Sequence, residues 1–537
     1  MNIKRRTFIG GMAALATSTL LPLGAIFPGS AWAAQRDGTL TLAFSTEPSS
    51  LDPHWHTVSA NASLSTHLFD RLVYPDAQQN PQPGLATAWR AIDDLTWEFD
   101  LRPDVHFHNG DLFTADDVLF TYERAQNVPG APFSMRAYLG DKTVEKINDR
   151  QIRIRTKAPN PIVPNELSTV SIISHRVGNG ATSADYNSGK AVVGTGPYRL
   201  VESIPGNRVV LERNEQYWGA KPAWRRVIIR PIPAAGARVA ALLSGDVDVI
   251  DNVPPTDLAR LSKTAGIALT RSVTNRAIFL SLDQSRAVSP FIRAKDGSEI
   301  PNPFLDRRVR QAFSLAIDKA AIATRILEDN GQPATQLVPP GIFGHSPNLP
   351  LRLADVAQAK QLLSDAGFQN GFQITLHAPN DRFIRDAAVV QAVAQMLTRI
   401  GISVQVDAMP SSIFYKRVSG GSEGSEFSFF LVGFGGGTGE ASPALKSVLH
   451  SYDKTRGFGA TNRVRYSNKQ VDELLEQGLV TLDDTKRQAL FAQATDLAID
   501  DVAIIPLYYP INVWALRQPV TYPGRTDERT LATEMTI

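Results

Sequence analysis

The chain has no cysteine. That excludes disulfides, thiol nucleophiles, Cys-ligated zinc or iron–sulfur centres, and a lipid anchor on an N-terminal cysteine. Beyond the N-terminal segment, no stretch approaches the roughly 18 uninterrupted apolar residues of a membrane-spanning helix. The nine histidines include no H-E-x-x-H, so the common zinc-hydrolase spacing is missing. Charge of one sign is also lacking, with 55 basic and 53 acidic residues. A nucleic-acid binder would carry a basic excess.

The N-terminal segment has a three-part layout. Lys4-Arg5-Arg6-Thr7-Phe8-Ile9 is a twin-arginine pattern, Gly10 to Phe27 is mostly apolar, and Ala31-Trp32-Ala33 offers small residues for cleavage. Such a layout predicts a Tat signal peptide over 1–33, cut near Ala33/Ala34, and a periplasmic mature protein. Gly10, Gly11, Pro22 and Gly24 interrupt the apolar run, which argues against a retained helix. Removal leaves 52 basic against 53 acidic residues. About 500 residues, 43% of the whole chain being apolar, are enough for two or three domains.

Periodicity predicts an α/β protein. Strands are expected at Thr39 to Phe44, Trp97 to Leu101, Val105 to Phe107, Gln151 to Arg155, Leu200 to Leu211 and Val227 to Ile232. Thr114 with Asp116 and Asp117 reads as a helix start. Val309, Ala312, Phe313, Ala316 and Ile317 follow helical spacing. Asp355 caps a helix that Gly367 ends. A strand at Gln373 to His377, a helix at Asp386 to Ile400 and a strand at Ile402 to Val406 form a βαβ unit. Asn468 opens another helix, a last one carries Leu490 to Leu497, and Ala503 to Leu507 reads as a strand. Arg517 to Ile537 is expected to be irregular, and Ser419 to Ser425 flexible.

Motifs for chemistry are weak. Gly420-Gly421-Ser422-Glu423-Gly424 matches G-x-S-x-G. A nucleophile elbow needs a strand before it and a helix after it, whereas this loop leads into the strand Phe427 to Phe434. The pairs His54/His56 and His106/His108 have a spacing that can hold a metal, but nothing nearby completes a ligand set. Hydrogen-bonded or surface histidines are the expected reading. Gly433-Phe434-Gly435-Gly436-Gly437-Thr438-Gly439-Glu440 misses G-x-G-x-x-G and reads better as backbone laid bare beside a ligand. No catalytic set, metal or cofactor emerges, and binding is favoured by elimination.

Seven collinear blocks carry a resemblance. Ala88-Trp89-Arg90 and Leu95 to Phe99 lead into LRPDVHFHNGDLFTADDVLFTYERA at 101–125. VGTGPYRLVE (193–202) with LERNEQYWG (211–219), RVAALLSGDVDVIDNVPP (238–255), DRRVRQAFSLAIDKAAI (306–322), PPGIFG (339–344), ATNRVRYSNKQVDELL (460–475) and DDVAIIPLYY (500–509) follow. The chain resembles, over 38–530, the extracellular solute-binding proteins of family 5, the peptide- and nickel-type components of ABC importers.

The resemblance implies an α/β, two-lobed periplasmic-binding-protein fold of type II, enlarged by an inserted domain. Lobe I is placed at 34–56, 191–283 and 504–537, the insert at 57–190, and lobe II at 284–503. Hinges are expected near Asn275 to Asp283 and Ala503 to Tyr509. Implied partners are a peptide or other small-molecule ligand, a permease and an ATPase, and the Tat translocase during export; a monomer is expected. Peptide-binding relatives place an aspartate in a pattern like G-W-x-x-D-x-G-D to pair with the peptide ammonium. Here Phe434 stands for the Trp, Gly437 for the Asp, and Glu440 keeps an acid further on. Ligand contacts are therefore expected from Trp55, His56, Asn275, Arg382, Tyr415, Phe434, Gly437, Thr438, Glu440 and Trp514. Core packing competes for Trp514 and Tyr415, and an exposed charge for Arg382. A metal-chelate or haem carrier using His54 or His56, an opine or sugar-phosphate binder, and a hydrolase acting through Ser422 are the alternatives.

Overall fold

A computed structural model describes residues 38–140, 142–420 and 424–537. The expected signal segment 1–33 and Ser422 lie outside them.

The first half is built on Thr39–Phe44. This strand runs parallel to Arg226–Pro231 on one side and to Val249–Ile250 on the other. Arg226–Pro231 continues into an antiparallel pair, Arg208–Arg213 and Tyr198–Ile204. The stretch Leu200 to Leu211, read as strand throughout, is therefore a hairpin. Pro205-Gly206-Asn207 makes its turn, with Gly206 at φ 71° where glycine carries no Cβ penalty. Leu40, Leu42, Tyr198, Trp224 and Trp514 form the core beneath this sheet.

The second half follows the βαβ grammar of the sequence. Gln373–Pro379 pairs in parallel with Ser403–Met409, and Asp386–Thr398 is the crossover helix. Phe429–Gly435 then pairs antiparallel with Arg276–Leu282. Both of these strands are buried on two faces. Ile278, Leu280 and Leu282 enter one core with Phe429 and Leu431. Ala277 and Phe279 enter another with Phe430 and Val432. Two-sided burial accounts for the nearly continuous apolar sequence of such central strands.

One strand belongs to both halves. Ile505–Arg517 pairs through Ile505 to Tyr508 with Arg276–Leu282 and through Tyr508 to Pro510 with Gly331–Pro333. Its second part, Ile511 to Arg517, pairs with Ile267–Val273 and Val249–Ile250. The strand expected at Ala503 to Leu507 thus extends to Arg517. Pro506 and Pro510 conceal it in the sequence, because proline lacks a ladder donor. Here the Pro510 carbonyl accepts from Thr274 N (2.9 Å), and Ile511 N donates to Asn330 O (3.1 Å), so the ladder changes partner across the proline.

A separate four-stranded antiparallel sheet has the order Ala86–Asp93, Thr96–Leu101, Gln151–Arg155, Thr143–Asn148. Its own core runs from Leu72 to Ile172 and includes Phe99, Phe107, Val118 and Ile154. Helix Ala115–Ala125 covers it and begins with a reciprocal cap between Thr114 and Asp117. By contrast, Ala60, Leu64, Leu68, Ile173 and Tyr186 pack into the first half's core. The Val105 to Phe107 strand is reduced to a single bridge, His106 to Leu112.

Trp514 lies on the shared strand, fully buried, with its Nε1 donating to Thr530 Oγ1 at 2.8 Å. Trp514→Ala removes both the ring and this anchor of the C-terminal tail. We expect a loss of about 3–5 kcal/mol, measured as a lowered urea midpoint.

Candidate functional site

A cavity of about 590 Å³ lies where the architectural parts meet. The first half supplies Ser45, Thr46, His56 and Asp251; the crossover supplies Asn275 and Arg276; the second half supplies Arg382 and Gly435 to Gly437. Met135 and Tyr138 reach it from the unit with the separate core, and Asp527 to Arg529 from the C-terminal tail. A second cavity, about 380 Å³, lies at Lys319 and Arg352. It draws only on the second half, so it cannot sense both halves at once.

The 50–56 loop is held by an ionic network. Asp52 accepts from Arg124 Nη2 at 2.5 Å and Nη1 at 2.7 Å, and from Ser183 Oγ at 2.7 Å. Burial would raise the Asp52 carboxyl, but the Arg124 bonds and neighbouring charges outweigh it and lower the pKa. His54 is buried, with Nδ1 accepting from Arg124 (2.9 Å) and Nε2 donating to Ser171 O (2.8 Å). Arginine has no acceptor, which fixes this tautomer. Burial depresses the His54 pKa to about 4. Both of its nitrogens are engaged, leaving none for a metal. His108 is likewise engaged at both nitrogens, by Gly196 O and Gly194 N.

His56 differs. Its Nδ1 accepts from the N–H groups of Thr57 (2.9 Å) and Val58 (3.2 Å), so Nε2 is the remaining donor or ligand atom at the cavity. Its ring stacks near Phe133, with centroids 6.4 Å apart. Trp55 does not line the cavity; its ring edge lies near Gly130.

The glycine-rich segment is positioned from the crossover. Asn275 Nδ2 donates to Gly436 O at 2.7 Å, and Asn275 N donates to Thr526 O at 2.9 Å. One residue therefore holds the second half's loop and the tail together. A Cβ at Gly437 would stand 2.5 Å from Tyr138 Oη, so the tyrosine occupies the space a side chain there would need. Phe434 packs against the second-half core. Thr438 is buried and its carbonyl accepts from Asn165. Glu440 is buried, accepts from Ser442 N at 2.9 Å and faces Arg487 at 3.4 Å. Burial raises its pKa, with Arg487 opposing. Tyr415 packs beside the second-half core, and burial raises its phenol pKa, with Arg382 opposing; Arg382 is exposed at the cavity edge. Of the ten residues singled out in the sequence, His56, Asn275, Arg382 and Gly437 line the one cavity.

The tail contributes what periodicity could not reveal. Arg525 donates to Pro75 O (2.9 Å), Asp76 O (3.0 Å) and Asp527 Oδ2 (2.8 Å), and pairs with Glu534. Thr526 N reaches Ala77 O, and Ser59 Oγ donates to Glu528 O. The only sequence signal was the charge alternation in Arg525 to Arg529. Asp251, at the opposite wall, accepts from Ser45 N at 2.7 Å; burial pushes its carboxyl up to about 6, with Arg238 opposing. Among the described residues, no group of three or more His, Asp or Glu is arranged to hold a metal ion.

Burial alone would raise the Asp527 carboxyl, but Arg529 and Arg525 outweigh it and hold it well below the usual carboxylate range. An acid depressed in the folded state stabilises above its unfolded pKa, and that contribution is lost as pH falls toward the folded value. Asp527→Asn is expected to cost about 3–5 kcal/mol at pH 7. The gap to the unsubstituted protein should shrink progressively below about pH 4; chemical denaturation at pH 7 and pH 3 checks both.

Comparison with known proteins places this geometry. The sequence model for bacterial extracellular solute-binding proteins, family 5 Middle, matches residues 80–456. Heme-binding protein A of Haemophilus influenzae is 26% identical over 484 residues, covering 84% of this chain and 83% of the relative. The oligopeptide-binding protein AppA of Bacillus subtilis is 25% identical over 505 residues, covering 90% and 88%. The structure of HbpA2 from Haemophilus parasuis superposes with a TM-score of 0.81 at 24% identity, covering 93% of this chain and 99% of that one. That likeness shows a shared two-lobed fold.

Proposed function

The chain belongs to the bacterial extracellular solute-binding proteins of family 5, and from that premise we propose that it captures a peptide or peptide-like solute between its lobes and hands it to an ABC importer. The observation that carries this reading is the cavity itself, which takes its walls from both halves of the shared sheet and from the tail. A solute in that position contacts every part at once and so favours their closed arrangement. The oligopeptide-binding relative supports peptide-like chemistry. The protein acts by binding rather than catalysis, in the periplasm after Tat export and signal removal near Ala33/Ala34, as a monomer that meets a permease and its ATPase.

The working division keeps lobe I at 34–56, 191–283 and 504–537, the insert at 57–190 and lobe II at 284–503. Because Arg276–Leu282 and Ile505 to Tyr508 pair with second-half strands, closure turns about Val273 to Arg276 and Pro510–Ile511, at the edges of the hinges expected near Asn275 to Asp283 and Ala503 to Tyr509. A few residues at element ends are enough to absorb such a motion.

Gly437 bears on the choice of peptide. A buried ammonium needs an anionic partner, and Tyr138 occupies the place where a carboxylate at 437 would stand. Amine-blocked or modified peptides therefore fit better than free dipeptides. The second reading, a haem or metal-chelate carrier, rests on the free Nε2 of His56 at the cavity and on the heme-binding relative; its signature is solute binding lost in His56→Ala.

Thermal unfolding against unblocked and N-acetylated peptides tests the proposal. A solute at a hundred times its Kd adds about 2.7 kcal/mol of stability. Stabilisation by the acetylated set is expected, and none from either set contradicts the peptide reading. In the double variant Gly437→Asp/Tyr138→Ala, affinity for unblocked peptides should rise by about tenfold, the effect of one added charge-assisted hydrogen bond, measured by calorimetry.

A further inference from the structure

Arg71 is one of the largest fully buried side chains, 1% exposed, and it forms part of the cavity wall. Its Nη2 donates to Thr66 Oγ1 at 3.0 Å. Its Nε and Nη1 have no hydrogen-bond partner. Beside it in the same wall, Gln79 is 4% exposed and its Nε2 is also unpartnered. Buried donors left unpaired cost free energy comparable to a lost hydrogen bond, more when charged. Two such groups on residues lining one cavity point to an acceptor there.

The charge balance of the cavity agrees. Each of its carboxylates already has a cationic neighbour: Asp251 has Arg238 (3.8 Å), Glu528 has Arg276 (3.6 Å), and Asp527 has Arg525 (2.8 Å) and Arg529 (3.6 Å). Among the described residues, no carboxylate lies within ion-pair distance of Arg71 or Arg382. Burial desolvates the Arg71 guanidinium and the Arg529 charge repels it, while Tyr74 and Asp527 compensate only in part. An incoming oxyanion would relieve both penalties, and the Nη1–Nη2 edge, with Nη1 unpartnered and Nη2 giving only one bond to Thr66, can meet a carboxylate or phosphoryl group with charge-assisted N–H···O bonds.

We propose that Arg71 is the anion seat of this cavity: the bound solute presents a carboxylate or phosphoryl oxyanion to the unpartnered Nη1, along the Nη1–Nη2 edge, Gln79 Nε2 adds a donor, and the cargo class is an anionic solute without a free α-ammonium. This deepens the solute-binding reading and rests on it. The oxyanion would orient the solute from this wall, while Gly435 to Gly437 line the same cavity without side chains of their own.

The test uses the mature full-length chain and three probes: N-acetyl-dialanine, its C-terminal amide, and inorganic phosphate. Titration calorimetry and thermal unfolding are run on the unsubstituted protein, Arg71→Gln and Arg71→Lys. The acid should bind the unsubstituted protein more tightly than the amide, and a response to phosphate without one to the acid assigns the seat to phosphoryl rather than carboxylate groups. Arg71→Gln should weaken the responding anion by about ten- to a hundredfold, the worth of a charge-assisted pair, and leave the amide unchanged; Arg71→Lys should recover part of it. Without solute, Arg71→Gln should unfold no earlier than the unsubstituted protein, because it removes an unpaired buried charge. An arginine with a merely structural role would instead lower that midpoint and weaken acid and amide alike. Equal affinity for acid and amide with no response to phosphate, or anion binding unaltered in Arg71→Gln, overturns the anion seat and leaves solute binding standing. Failure of all three probes together with unblocked peptides overturns both.

Discussion

Ile505–Arg517 hydrogen-bonds to both halves of the large sheet, and the position of everything at the cavity follows from that. Through Pro510 it belongs to the second half's ladder, and from Ile511 onward to the first half's. The strand opposite it breaks at the same level, with Ile267–Val273 on one side and Arg276–Leu282 on the other. Two doubly packed bodies are thereby joined by one strand that serves both ladders, and the parts also touch where Asn165 donates to the Thr438 carbonyl. The cavity opens beside that strand because Asn275, at the break, is bonded to both the glycine-rich loop and the tail.

The cores on the two sides are separate clusters, and each resists deformation at native density. The residues at the cavity fall into two kinds. Asp52, Arg124, Asp527 and Arg525 are paired and hold loops in place. Arg71 and Arg382 have no carboxylate within ion-pair distance among the described residues, and on them the proposed binding role rests. Buried ion pairs bring little net stability but fix geometry strongly when neither partner can be removed cheaply, which suits walls assembled from sequence-distant segments.

Much of this was legible in the chain. The caps at Thr114, Asp355 and Asn468 and the strand–helix–strand unit from Gln373 onward follow from local chemistry, so periodicity found them. The glycine run Gly435 to Gly437 was legible too, as a break after an apolar strand, but its bonding was not: Gly435 pairs with Arg276 and the Gly436 carbonyl accepts from Asn275. The long strand was not, since its two prolines mimic a boundary. Neither was the tail, whose order comes from Arg525 reaching Pro75 and Asp76, contacts 449 and 450 residues apart that no local pattern encodes. Arg71 and Tyr138 escaped for the same reason: each is an ordinary side chain until the fold turns it toward the cavity. Trp514 and Glu440 show the converse, residues of binding type that the fold used for its core and for a buried pair with Arg487.

The central claim is that this cavity receives an anionic, peptide-like solute. The most direct measurement is native mass spectrometry of the protein isolated from the compartment in which it works, with the bound molecule released and its mass and functional groups determined. The account predicts one small molecule per chain, bearing a carboxylate or phosphoryl group and no free α-amine, and lost in Arg71→Gln. A released molecule that is cationic, carries a free α-amine and no oxyanion, and persists in Arg71→Gln would contradict it.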